Sequence, residues 1–211
     1  MFKFISLLII ISFSSLEAKD FKPQINFSIL PIKNTKEIIE EFIPLFEYLE
    51  NKLSFKTNFV VKKDYADIVQ EFADGNIDLA LFGPLPYIKL DQIYKHNRPI
   101  VLLNQKDGNP LYRCVLVKFG RDSIDFETNI KVSLTQPLST CGFYMTNILL
   151  QRDFNKNLSD NYYDYAMSHT NALLKVLEGK FQVAGAKESI ANSFYSVGLR
   201  VISKSEYLPG F

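Results

Sequence analysis

The sequence predicts an α/β fold in two lobes, and three observations carry that prediction. Short apolar runs with β-branched character alternate with stretches of helical periodicity along nearly the whole chain. Turn-forming Pro, Gly and polar clusters separate them. The 211 residues are 47% hydrophobic and 22% charged, a composition that fits a packed globular core and excludes disorder or a collagen-like or coiled-coil fibre. Strands that alternate with helices imply mostly parallel sheets covered on both faces.

Taken in order, Ile25 to Leu30 reads as a strand ended by Pro31. Asn34 with Glu37 forms a capping box, and Ile39, Phe42, Phe46, Leu49 and Leu53 recur at helical spacing. Pro44 inside that stretch predicts a kink or a restarted helix. Phe59 to Val61 is a strand, Tyr65 to Ala73 a helix closed by Gly75, and Ile77 to Phe82 an apolar strand broken only by Asp78. Pro86 to His96 is helical, Pro99 to Leu103 a strand, and Asp107-Gly108 a turn. Leu111 to Val117 is a strand long enough to run between two lobes. Ile130 to Leu134, Tyr163 to Tyr165, Phe181 to Ala184 and Leu199 to Ile202 follow as strands. Phe143 to Arg152, Thr170 to Glu178 and Ser189 to Tyr195 are the helices among them.

The first residues are of another kind. Met1-Phe2-Lys3, the apolar run Phe4 to Phe13 and the exit Ser14-Ser15-Leu16-Glu17-Ala18 have the form of a secretory signal peptide cleaved after Ala18. The run is short of the roughly 20 residues that span a bilayer. No Cys follows it, which argues against a lipid anchor. An exported, soluble, periplasmic protein is the expectation. Lys and Arg number 24 against 23 Asp and Glu, so no net field favours nucleic acid or an anionic membrane. Cys114 and Cys141 can pair in an oxidising compartment but make no disulfide framework, and with two His and no CxxC a metal site lacks ligands. No cofactor is expected.

In open α/β sheets ligands bind beyond the carboxyl ends of strands, where helices begin. Three places have that form. Phe82-Gly83-Pro84-Leu85-Pro86 follows an apolar strand, with Gly83 allowing close backbone approach, though a plain strand-to-helix turn would look the same. Ser139-Thr140-Cys141-Gly142 offers hydroxyls, a thiol and free N–H groups at a helix start, more than a single cap requires, and reads as an anion seat. Ser168-His169-Thr170-Asn171 opens another helix. There His169 is either an anion donor or a structural hydrogen-bonding residue. Cys141 with His169 also admits a nucleophile–base reading, without an evident third group to orient it.

These pieces stand in a recognisable order: Asp64-Tyr65-Ala66-Asp67-Ile68-Val69, then Gly75-Asn76-Ile77-Asp78-Leu79-Ala80 leading into Phe82-Gly83-Pro84, and Tyr112 ahead of Cys114-Val115-Leu116-Val117. Ser139-Thr140-Cys141-Gly142, His169 and Phe181-Gln182-Val183-Ala184-Gly185-Ala186 complete the set. From about Ile25 to Phe211 the chain resembles the periplasmic substrate-binding proteins of phosphate, phosphite and phosphonate ABC importers. That resemblance implies a type 2 periplasmic-binding fold, two lobes each built on a mostly parallel sheet flanked by helices. It divides the chain into the signal peptide 1–18, a first lobe 19–110, a second lobe 111–196 and a return segment 197–211. It implies that Tyr65, Tyr112, Ser139, Thr140, Cys141 and His169 hold a tetrahedral oxyanion, with Gly83, Pro84 and Gly142 in support. Phenolic and aliphatic hydroxyls and N–H groups can surround such an anion without Arg or Lys.

The sequence departs from the family in four respects. Cys141 stands where relatives usually have Ser, a weaker donor that can ionise or oxidise. Gln182 stands where they commonly have Asp. Where aminoalkylphosphonate-binding relatives place acidic residues that hold the amine, the nearest ungapped positions are Ser189, beside Glu188, and Phe211. Relatives also continue past the segment resembling Leu208-Pro209-Gly210-Phe211. The resemblance therefore implies a non-enzymatic protein that captures phosphate, phosphite or a small phosphonate and delivers it to an ABC permease in the inner membrane. The alternatives are a sensory module of the same fold with a separate signalling partner, or a shortened remnant without function.

Overall fold

A computed structural model describes residues 23–105 and 108–210 of the chain. The signal peptide, its cleavage point, Asp107 of the expected turn and Phe211 lie outside the described residues. A three-stranded sheet opens the fold, in the order β2-β1-β3, from β1 (Gln24–Ile29), β2 (Lys56–Phe59) and β3 (Leu79–Leu81). All its pairings are parallel, with Phe27 opposite Phe59 on one side and Leu79 on the other. Parallel neighbours require crossovers, supplied by α1 (Thr35–Leu53) and α2 (Tyr65–Ala73), and α3 (Pro84–Ile93) follows β3. The helices cover both faces. Phe27 packs 4.4 Å from Phe46 of α1, while Leu30, Ile68 and Ile77 form a separate cluster with Tyr65 on the α2 side.

Local chemistry sets these boundaries. The side chain of Asn34 accepts from Lys36 N at 2.9 Å and starts α1, and Asp64 accepts from Ala66 N at 2.7 Å and starts α2. Gly75, at φ +79°, donates to Phe72 O and ends α2. The restart expected at Pro44 does not occur: α1 is a single element. Pro44 lies on the exposed side of the helix, where water can satisfy the carbonyl it leaves without a donor.

The larger sheet has the order β7-β6-β8-β5-β9, from β5 (Cys114–Phe119), β6 (Lys131–Leu134), β7 (Tyr162–Tyr165), β8 (Val183–Lys187) and β9 (Leu199–Lys204). Four strands run the same way, and β5 alone is reversed, inserted antiparallel between β8 and β9. Cys114, Val115, Leu116 and Val117 are all buried because α4 (Thr146–Phe154) covers one face and α5 (His169–Leu177) the other. The short helix α6 (Glu188–Asn192) links β8 to β9.

Three expectations are corrected. Pro99 to Leu103 forms no strand: Ile100 is 74% exposed, and among the described residues no edge pairs with this run, so its β-propensity has no ladder to join. The long strand from Leu111 is broken at Arg113, leaving β4 (Leu111–Tyr112) paired with β10 (Leu208–Pro209). The segment 197–211 reads as a return to the first lobe, but Leu199–Lys204 pairs with β5 inside the larger sheet, and only the end of the segment comes back, with Leu208–Pro209 on β4 and Gly210 N donating to Pro110 O.

Gly185 of β8 shows how closely α4 is seated. A methyl group added there would lie 1.6 Å from Thr146 Oγ1, which donates to Cys141 O at 2.7 Å. Gly185→Ala should therefore cost about 1–3 kcal/mol through overpacking, read as a lower midpoint in urea unfolding.

Candidate functional site

Strand ends and helix starts from both sheets converge on one cavity. The C-terminal ends of β1, β3 and β8 bring Leu30, Ile32, Gly83 and Lys187 to its wall, and the start of α2 brings Tyr65. Tyr112 comes from β4, Ser139, Thr140 and Cys141 from the turn after β6, Pro86 from α3 and His169 from the start of α5. The empty space is at most about 270 Å³, suited to a small ligand rather than a drug-sized one.

The turn after β6 is a single π-helical segment, Thr140–Met145, which passes into α4 in place of the continuous helix expected from Phe143. Ser139 caps it: its Oγ accepts from Gly142 N at 3.0 Å, and its carbonyl accepts from both Phe143 N and Tyr144 N. The N–H groups of Thr140 and Cys141 open the turn, where a helix has no internal acceptors for its first donors. A Cβ on Gly142 would fall 2.0 Å from Thr135 Oγ1, so only glycine lets the turn settle on β6. Thr140 Oγ1 accepts from Leu85 N at 3.0 Å, which leaves its own proton free to donate.

The phenols are buried donors. Tyr65 is 2% exposed, and its hydroxyl has no hydrogen-bond partner among the described residues. Burial first, then the nearby Tyr112, push its ionisation well above the ordinary range. Burial does the same to Tyr112, partly offset by the neighbouring Thr140 hydroxyl. Both phenols therefore keep their protons. His169 is 4% exposed, and its Nδ1 accepts from Lys187 N at 3.3 Å. Burial, followed by the charge of Lys187, lowers its pKa to about 3. The ring is neutral with its proton on Nε2, a donor without charge.

The two sheets are held together around this space. Gln136 Oε1 accepts from Tyr65 N at 2.7 Å, and its Nε2 donates to Lys63 O and Met167 O at 2.9 and 2.8 Å. His169 N donates to Ile32 O at 3.1 Å, and the Leu85–Thr140 bond spans the same gap.

All six residues expected to hold a ligand, Tyr65, Tyr112, Ser139, Thr140, Cys141 and His169, line the one cavity, as does Gly83. Pro84 starts α3 without lining it, Pro86 taking that place, and Gly142 lies beneath the turn against Thr135. Cys141 is corrected in its chemistry. Its Sγ is bonded to Cys114, with 4.9 Å between the Cα atoms, so it has no thiol to donate, ionise or act as a nucleophile beside His169. Gln182 lies at the far end of β8, where its Oε1 accepts from Lys131 N at 2.8 Å. Glu188 pairs with Lys204 at 2.6 Å, and neither it nor Ser189 reaches the cavity wall. Among the described residues no group of three or more His, Cys, Asp or Glu is placed to hold a metal ion.

Sequence reasoning missed Lys187 and Gln136. Lys187 left a signal, a lone charge at the C-terminal end of the fully buried run Val183-Ala184-Gly185-Ala186. Gln136 left none, since one Gln before a Pro is ordinary loop sequence.

Residues 27–211 match the family model described as ABC transporter, phosphonate, periplasmic substrate-binding protein. Among curated proteins, the chain is 28% identical over 209 residues to the phosphate-import protein PhnD of Mycolicibacterium smegmatis, covering 93% of this chain and 63% of that one. It is 24% identical over 212 residues to the phosphonates-binding periplasmic protein of Escherichia coli, covering 93% and 62%. The chain thus spans somewhat less than two thirds of the length of these relatives. Among solved structures, PhnD1 of Prochlorococcus marinus in complex with methylphosphonate superposes with a TM-score of 0.74 at 15% identity, covering 88% of this chain and 74% of that one.

Two outcomes follow from this geometry. The Cys114–Cys141 bond closes a sequence separation of 27, which corresponds to about 3–4 kcal/mol of loop entropy removed from the unfolded chain. Cys114→Ala with Cys141→Ser should lower stability by that order in denaturant unfolding. His169 has an ordinary value of 6.5 in the unfolded chain and about 3 when folded. Above pH 6.5 it is neutral in both states and has no effect. As pH falls from 6.5 towards 3, the unfolded chain takes up a proton that the folded one refuses, so stability declines. Its imidazole NMR signals should not titrate between pH 5 and 8, and His169→Gln should flatten that part of the stability profile.

Proposed function

We infer the function from one premise: the chain belongs to the family of periplasmic substrate-binding proteins of phosphonate ABC transporters. It captures a small phosphorus oxyanion, namely phosphate, phosphite or a small alkylphosphonate, in the cavity between its two sheets. It delivers that anion to an ABC permease in the inner membrane and performs no catalysis. The signal-like segment 1–18 directs it to the periplasm.

The observation that carries this reading is the hydroxyl of Tyr65, buried in the cavity wall without a hydrogen-bond partner among the described residues. Such a group is costly to leave unmet, and an oxyanion would meet it. Around it stand the phenol of Tyr112, the hydroxyls of Ser139 and Thr140, the opening N–H groups of the π turn and Nε2 of His169. This is a shell of fixed neutral donors suited to a tetrahedral ligand. The two sheets act as the two lobes, 19–110 and from 111 onward. Gln136, Thr140 and the His169 backbone, which bridge them, suit a closed state formed over the ligand.

Among the described residues no carboxylate lines the cavity, so a ligand amine would lose a charge-assisted contact of roughly 1.5–3 kcal/mol. The ligand therefore carries no amine.

Thermal unfolding against phosphate, phosphite, methylphosphonate, aminoethylphosphonate and sulfate tests the reading. At a hundred times its dissociation constant a ligand should add about 2.7 kcal/mol, or roughly 5–10 °C in Tm for a chain of this size. One or more of the amine-free phosphorus oxyanions should give that shift, and Ser139→Ala with Thr140→Ala should abolish it. A cooperative transition that none of the three moves would overturn the assignment.

A further inference from the structure

The donor shell described above is neutral, yet one full charge shares its cavity. Lys187 ends β8, is 9% exposed, and among the described residues lining the cavity it alone carries a formal charge. Its Nζ stands 5.1 Å from the ring centroid of Tyr112. Tyr112 lines the same small space as Ser139 and Thr140. Its backbone is fixed as well: Lys187 N donates to His169 Nδ1, and Cys114 lies opposite it in the β5–β8 ladder. The ammonium and the turn that carries Ser139 and Thr140 thus belong to one cavity.

We propose that Lys187 is the charge-selecting residue of the cavity: its ammonium contacts the oxyanion itself, so that the site prefers the doubly ionised ligand over the singly ionised form and over any ligand bearing an amine. This inference rests on the oxyanion-binding reading given above and sharpens it. Hydroxyl and N–H donors distinguish shape more than charge, and each would serve a monoanion nearly as well as a dianion. An ammonium held in a low-dielectric cavity adds attraction that grows with ligand charge, and it repels a second cation.

His169 on α5 is neutral, and Tyr65 on α2 and Tyr112 on β4 stay protonated. Arg113, between β4 and β5, stacks 3.9 Å from the Tyr207 ring centroid, and Glu188 on α6 pairs with Lys204 of β9. Burial lowers the pKa of Lys187 itself to about 8. An incoming anion favours the protonated ammonium, so binding above that pH must be accompanied by proton uptake and weakens as pH rises.

Calorimetric titration of the full chain with methylphosphonate, from pH 6 to 9, tests the proposal. Wild-type affinity should rise while the probe loses its second proton and fall above about pH 8 as Lys187 of the unliganded protein loses its own. Lys187→Met should still bind, with affinity near pH 8 lower by roughly ten- to a hundred-fold, a flattened pH profile and weaker discrimination against aminoethylphosphonate. Lys187→Arg should retain the wild-type preference. A measurement without substitution is the 13Cε resonance of Lys187 in lysine-labelled protein, whose titration should move to higher pH when methylphosphonate is added. Unchanged affinity and pH profile in Lys187→Met, or a Lys187 titration that methylphosphonate does not move, would overturn the proposal while leaving oxyanion binding standing. No heat from wild type with any phosphorus oxyanion would overturn both.

Discussion

The side-chain amide of Gln136 is the bond on which the arrangement of the two sheets depends. It is fully buried, and its three hydrogen bonds reach Tyr65 and Lys63 on one side and Met167 on the other. A buried amide is favourable only when its donors and acceptor are met, so the two sides must take this one relative position or leave several polar groups unsatisfied. Tyr65 is the consequence that matters for function. Its backbone N–H is fixed by Gln136 at the start of α2, which sets the phenol against the cavity. The same closure brings Leu85 to Thr140 and Ile32 to His169. Each wall of the site is therefore built partly from the opposite side of the molecule.

Much of this was legible in the sequence, and the reasons are physical. Helix starts show themselves because a cap needs a short polar side chain at a fixed offset, as at Asn34, Asp64, Ser139 and Ser168. In an α/β fold those starts are also where ligands bind, so they point to the Gly83 loop, the Ser139–Cys141 turn and His169, whereas Tyr65 and Tyr112 follow only from the family resemblance. What escaped depends on partners distant in the chain. Whether Pro99 to Leu103 becomes a strand depends on a free edge, not on its own β-branched residues. Pro44 was judged by its effect on an isolated helix, whereas the side facing water decides it. Cys141 looked like an altered donor because its partner, Cys114, lies on another element. Lys187 was passed over since a charge at a strand end is usually solvated, and only three-dimensional closure places it in a cavity wall.

The reversed strand β5 reconciles two demands on the larger sheet. The crossovers through helices make β6, β7, β8 and β9 parallel, and all of them deliver their C-terminal ends to one edge. The chain arriving from the first sheet reaches that edge first and must then run away from it. Tyr112 of β4, just ahead of β5, is accordingly at the cavity, and Val115, Leu116 and Val117 of β5 are buried in the core between α4 and α5. Two consecutive short strands thus carry a wall of the cavity and the centre of the sheet.

The Cys114–Cys141 bond also has a topological meaning. It closes the chain from the start of β5 to the π turn into a covalent ring, and β6 lies wholly within it. The part of the ring between Gly120 and Asn129 is mostly exposed loop, the kind of segment that proteases cut. A cut there opens the ring but does not divide the molecule. The two pieces remain one covalent body, joined at the point where the start of β5 meets the π turn.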